Sequence, residues 1–191
     1  MDSSELYLQL EKVDHSMGKR ELMAEYLLLN PSLTRPMLEL AFQVKEPLSV
    51  KACWVLEYAV RTNIRFLDEH LDYFIGNLAL LKDESSIRPM AKICEALLLE
   101  KYGAGEETQY SKLTEENLEK LGVVCFDWLI GPHKVATKAF AMTSLYELGK
   151  TQSWIHPELQ MVLEKDFASE SAAFKARARH ILKKLSKQLR A

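Results

Sequence analysis

Glycine and proline are scarce in this chain of 191 residues, with seven and six of them. That is too few for an all-β fold dense in tight turns, and no stretch alternates apolar and polar residues as a half-buried strand does. Cysteine is rarer still. Cys53, Cys94 and Cys125 lie far apart within helical patterns and form no C-x-x-C pair. An odd count of separated cysteines points to reduced, buried thiols, so a cytoplasmic protein is expected. No apolar run approaches the roughly 20 residues a membrane-spanning helix needs. The most apolar short run, Ile75 to Leu81, is broken by Gly76 and Asn77. The start, Met1-Asp2-Ser3-Ser4-Glu5, has neither the basic nor the apolar region of a secretory signal. The formal net charge is −2, so no global field draws the molecule to nucleic acid or anionic lipid.

What is present is amphipathic helix, repeated. Apolar periodicity and turn signals predict helices over 4–14, 17–29, 34–44, 66–82, 87–102, 114–130, 134–149, 156–167 and 173–190, with a further one opening at Val50. Asn30-Pro31-Ser32 breaks the chain early. Ser49 is the expected N-cap of the helix that follows it. Pro89 is expected in the first turn of its helix, where its missing N–H costs nothing. Residues 103–113 form the one long loop. Thr114 with Asn117 makes a partial capping box, because glutamate or glutamine is usual at the second position. Gly149 suggests a left-handed helix end.

Four of these helices open alike: Val50-Lys51-Ala52-Cys53-Trp54, Ile87-Arg88-Pro89-Met90-Ala91, Thr137-Lys138-Ala139-Phe140-Ala141 and Phe174-Lys175-Ala176-Arg177-Ala178. Their basic residues Lys51, Arg88, Lys138 and Lys175 are 37, 50 and 37 positions apart, the size of a two-helix repeat. One amphipathic hairpin cannot bury its apolar stripe alone, whereas a stack of them can.

A first helix, a short polar turn and a second helix opening hydrophobic-basic-x-x-small resembles a HEAT-type repeat of the armadillo superfamily, an α-solenoid. The resemblance covers about 32–63, 64–103, 114–150 and 154–190, with 3–30 as an N-terminal capping pair. It implies an all-α fold: a right-handed α-α superhelix of about four HEAT-like helix pairs, as a single domain over 1–191. It also implies that the second helices line a concave surface. The basic residue near each second-helix start would bond across the turn between repeats, with Asp83 and Glu170 as acidic partners. The third repeat departs from the pattern, with Thr137 where the others have a hydrophobe and Gly131-Pro132-His133 as an acid-free turn.

Catalytic signatures are missing. The histidines His15, His70, His133, His156 and His180 include no H-E-x-x-H, and the only His–Glu neighbours are reversed, Glu69-His70. There is no phosphate-cradling glycine loop and no G-x-S-x-G elbow. No metal, cofactor or catalytic residue is therefore assigned, and the cysteines read as structural.

The leading expectation is a non-enzymatic interaction or scaffold module that binds a protein partner on the concave face. Its candidate contacts are Lys51, Tyr58, Arg61, Arg88, Lys92, Glu95 and Lys138. A rival reading is nucleic-acid binding related to the HEAT-like DNA alkylation repair glycosylases. That class combines aromatics and an aspartate in a basic groove, which here would draw on Trp54, Tyr58, Trp128, Phe140, Tyr146 and Trp154 with Asp127. Packing between repeats is the more ordinary role for such aromatics. A third possibility is one subunit of an obligate oligomer.

The charge is also uneven. Residues 172–191 hold seven of the 25 basic residues and no acid, leaving 18 basic against 27 acidic groups in the first 171 residues. Phe174, Ala178, Ile181, Leu182, Leu185 and Leu189 fall on one face of this segment. Lys175, Arg179, Lys183 and Lys187 form a basic outer face, fit to cap the body or to meet an acidic partner, phosphate groups or a membrane.

Overall fold

The computed structural model describes residues 3–103 and 112–188. It is all-α: helical conformation accounts for 78% of it, and no strand occurs among the described residues. No helix among them is long and apolar enough to cross a membrane. The expected 103–113 loop and the end of the basic segment, Leu189 and Arg190 included, lie almost wholly outside the described residues.

The helices are α1 (Ser3–Glu11), α2 (Met17–Leu29), α3 (Thr34–Phe42), α4 (Ser49–Thr62), α5 (Leu71–Asn77), α6 (Glu84–Tyr102), α7 (Glu115–Ile130), α8 (Val135–Leu148), α9 (Ile155–Asp166) and α10 (Ala172–Gln188). The chain forms two compact units, Met1–Ile93 and Cys94–Ala191, whose boundary falls within α6. In the first unit, α4 packs against both α2 and α3. In the second, α8 packs against α7, α9 and α10, and α9 packs against α10. Helix α2 is thus a direct neighbour of α4, and α8 of α10.

Amphipathic spacing explains the cores. On α4, Ala52, Cys53, Val55, Leu56, Ala59 and Val60 are buried. On α10, Phe174, Ala178, Ile181 and Leu185 are buried and Leu182 is half-buried. Each fully buried large apolar side chain contributes about 1.5–3 kcal/mol. The three cysteines are free and buried. Burial pushes the Cys53 and Cys125 thiols up to about 12 and Cys94 well above the usual range, so none is poised as a thiolate nucleophile.

Five local expectations change. The single helix expected over 66–82 is instead a 3-10 turn (Ile64–Leu67), α5 and a second 3-10 turn (Leu78–Leu80). Asn63 starts the first turn by accepting from the Arg65 N–H, and the Asn77 side chain donates to the Tyr73 carbonyl at 2.7 Å, in competition with regular helix bonding. Ser49 is not an N-cap. It lies in the first turn of α4, and its hydroxyl donates to the Ala41 carbonyl at 2.7 Å, satisfying an orphan acceptor at the end of α3. The capping box of α7 is complete: Thr114 and Asn117 each accept from the other's backbone N–H at 3.2 Å. Gly149 has φ −64°, so it is not left-handed.

Pro89 sits inside α6, which starts earlier than its sequence suggests. A proline there cannot donate to the Ser85 carbonyl four residues back. The indole Nε1 of Trp54 takes that place, donating to Ser85 O at 3.1 Å. Helix α4 thereby bonds to the gap that Pro89 leaves in α6.

Candidate interaction surface

The basic residues that open the second helices do not act alike. Lys138 is buried and pairs with Glu170 at 2.6 Å. That is the partner expected from the turn before α10, but the burial removes Lys138 from the set of exposed contacts. Lys51 is half-buried and donates to the Glu11 carbonyl at 2.7 Å, and Lys175 donates to the Ala168 carbonyl at 3.0 Å. Arg88 is exposed and makes no hydrogen bond or ion pair among the described residues. Its expected partner, Asp83, instead accepts from the Ser85 N–H at 2.9 Å.

Pairing with Lys138 holds the Glu170 carboxyl below its ordinary value of 4.5. A depressed folded pKa adds stability that is complete above the unfolded value and disappears as pH falls through the folded one. Thermal melts of wild type and Lys138→Met should therefore differ most at neutral pH. Their gap should narrow as pH drops below about 4.5, the usual carboxylate range. A gap independent of pH would show that the pair adds nothing.

Tyr58 and Arg61 do come together. With Thr62 they form one wall of a groove of about 310 Å3, and Glu21, Ala24 and Glu25 of α2 form the other. Glu57 lies beneath this wall and is buried. It accepts from Lys92 Nζ at 2.5 Å and has Arg61 Nη1 at 3.6 Å. The Arg61 guanidinium also stands 5.3 Å from the Tyr58 ring centroid. One buried carboxylate thus orients two candidate cations, Arg61 from α4 and Lys92 from α6, beside an aromatic ring. Arg88 is four residues before Lys92, on the same face of α6. Glu95, three residues after Lys92 on α6, is half-buried. Glu21 and Glu25 went unrecognised in the sequence. Their spacing of four marks one helix face, but nothing local shows that this face meets α4.

The aromatic set is divided between the two units. The Trp54 ring is covered by its own chain, with the Arg20 guanidinium 4.1 Å from its centroid and the His15 ring at 5.1 Å. Trp128 and Tyr146 are buried. Trp154 is 49% exposed and stacks on Phe126 at 5.6 Å, and Asp127 is exposed. No cluster of three or more His, Cys, Asp or Glu able to hold a metal ion occurs among the described residues.

The basic outer face of α10 divides. Lys175 is bound as above, and Arg179 lies over the Phe167 ring at 5.4 Å. Lys183 and Lys187 are exposed, and their ammonium groups make no hydrogen bond or ion pair among the described residues. No protein-family model, curated protein or solved structure matches the chain.

Proposed function

We propose that the chain is a protein-interaction module of HEAT-like helix pairs that takes a partner in the α2–α4 groove. The observation that carries this reading is the Tyr58–Arg61 wall facing Glu21 and Glu25, with Arg61 and Lys92 oriented by the buried Glu57. Tyrosine and arginine are enriched among the residues that dominate binding energy at protein interfaces. Pre-orientation lowers the entropy lost when such a side chain is immobilised. A groove with both charge signs suits a polar, mixed-charge protein surface. The HEAT-like assignment is supported by the neighbouring second helices and by the Lys138–Glu170 bond across a turn. The free, buried thiols fit a reducing cytosol. The glycosylase-like alternative has less support, since Arg20 and His15 occupy the Trp54 ring on which a base would stack.

Quantitative crosslink capture from native lysate, wild type against Tyr58→Ala/Arg61→Glu, tests this reading. The variant should lose a specific partner by about 30-fold, as loss of about 2 kcal/mol implies. Its stability should fall by about 1–2 kcal/mol, because Tyr58 is half-buried and Arg61 pairs with the buried Glu57, and circular dichroism checks that it stays folded. Equal capture by the two proteins would overturn the assignment.

A further inference from the structure

A second groove lies between α8 and α10 and encloses about 580 Å3. Ala136, Ala139, Ala173 and Ala176 line it together with Arg177 and His180. The two helices run in the same direction, because their N-terminal ends share this groove while Lys184 of α10 reaches the Tyr146 ring of α8 at 4.9 Å. Four alanines make a floor without long side chains, so another helix could approach both backbones closely. No aromatic residue lines the groove, and it offers a nucleobase nothing to stack on.

The basic side chains of α10 sort into two sets. Lys175, Arg179 and Lys184 are engaged with the Ala168 carbonyl and with the Phe167 and Tyr146 rings. The side chains of Arg177, His180, Lys183 and Lys187 make no hydrogen bond, ion pair or ring contact among the described residues. Their steps along the chain are 3, 3 and 4, which places them on one stripe of the helix beside the alanine floor. On α8, Lys138 is paired with Glu170 and Lys134 is exposed. Residues 172–191 contain no acid.

We propose that the α8–α10 groove binds an acidic amphipathic helix of a protein partner. Small apolar residues of that helix seat on the alanine floor, and its carboxylates, spaced by three and four, meet Arg177, His180 and Lys183. A helix is favoured because Arg177, Lys183 and Lys187 stand along one stripe of α10 beside an apolar floor, on which a phosphate backbone would bury nothing. The proposal rests on the interaction-module reading but concerns the second unit, which that reading leaves without a ligand.

Fluorescence anisotropy with the full chain tests it. The probe is a labelled helical peptide of about 18 residues, alanine on one face and glutamate on the other, long enough to be partly helical alone. A scrambled peptide of the same composition and a single-stranded DNA of similar length serve as comparisons. The amphipathic peptide should bind with a Kd of tens of micromolar, and the scrambled one at least about tenfold more weakly. Ala176→Trp, which fills the groove from an exposed position, and Arg177→Glu/Lys183→Glu should each weaken binding by about tenfold or more. Circular dichroism confirms that both variants remain folded. The Tyr58→Ala/Arg61→Glu protein should bind the peptide normally. Equal binding of both peptides, unchanged binding by Ala176→Trp, or Arg177-dependent binding of DNA in place of peptide would overturn the proposal. Peptide binding without Arg61-dependent capture would refute the α2–α4 assignment alone. The converse would refute this groove alone.

Discussion

Phe174→Ala should lower stability by about 3–5 kcal/mol, the usual cost of deleting a fully buried aromatic side chain. Phe174 is 0% exposed, and α10 packs by that face against α8 and α9. The ring does more than fill space. Lys138 Nζ lies 5.7 Å from its centroid, and the Phe174 N–H bonds to Ser171 Oγ at 3.3 Å at the start of the helix. Alanine keeps that backbone bond, so the loss reports the cavity and the uncovered Lys138–Glu170 pair. Guanidinium denaturation should show a lower midpoint at unchanged slope. Leu29→Ala, at a position 81% exposed, should fall within about 0.5 kcal/mol of wild type. A loss under about 1 kcal/mol for Phe174→Ala would mean that α10 is not anchored through this residue.

Gly149→Ala should destabilise, although backbone conformation alone argues the opposite. Gly149 has φ −64° and ψ −10°, which alanine adopts freely, and such a change ordinarily stabilises by about 0.4–1 kcal/mol. Here a Cβ would lie 2.0 Å from His156 Cδ2 and 2.3 Å from its Nε2. The imidazole has little room to yield: it stacks on Tyr146 at 5.4 Å and its Nε2 is 2.8 Å from the Tyr146 carbonyl. Displacing it should cost about 1–3 kcal/mol through overpacking and a broken hydrogen bond. The diagnostic comparison is Gly149→Ala in a His156→Ala background, where the added methyl should become neutral or stabilising. Such a sign reversal is a direct coupling between the two positions. Stabilisation by Gly149→Ala in the wild-type background would rule out the close approach.

The Gly149 expectation shows where sequence reading stops. A glycine after a helical pattern suggests a left-handed end, but the reason for Gly149 is a histidine seven residues on that packs against it. Pro89 is similar. Its local chemistry favours a first turn, and it is tolerated inside α6 because Trp54, far earlier in the chain, supplies a donor for the Ser85 carbonyl. Ser49 has the right chemistry for a cap, yet a carbonyl from the preceding helix claims its hydroxyl. In the candidate surface, Tyr58, Arg61 and Lys92 were legible as polar positions on second helices. Glu21 and Glu25, which complete the groove, were not. Of the basic side chains on α10, helical spacing selected Lys175 and Arg179, which are engaged, with Lys183 and Lys187, and missed Arg177 and His180, which line a groove.

By itself the sequence determined the helical class, the positions of most helices and the turns between them. Those depend on apolar period, capping and proline placement, all set within a few residues. Tertiary structure alone decided which side chains are available. Lys138 and Glu170 are 32 residues apart, and Lys92 and Glu57 are 35 apart. Whether a lysine ends in an ion pair, on a carbonyl or in solvent depends on which helices become neighbours. Burial and charge pairing are properties of that packing, and the same basic-led motif therefore gave a buried tie at Lys138 and an exposed cation at Arg88.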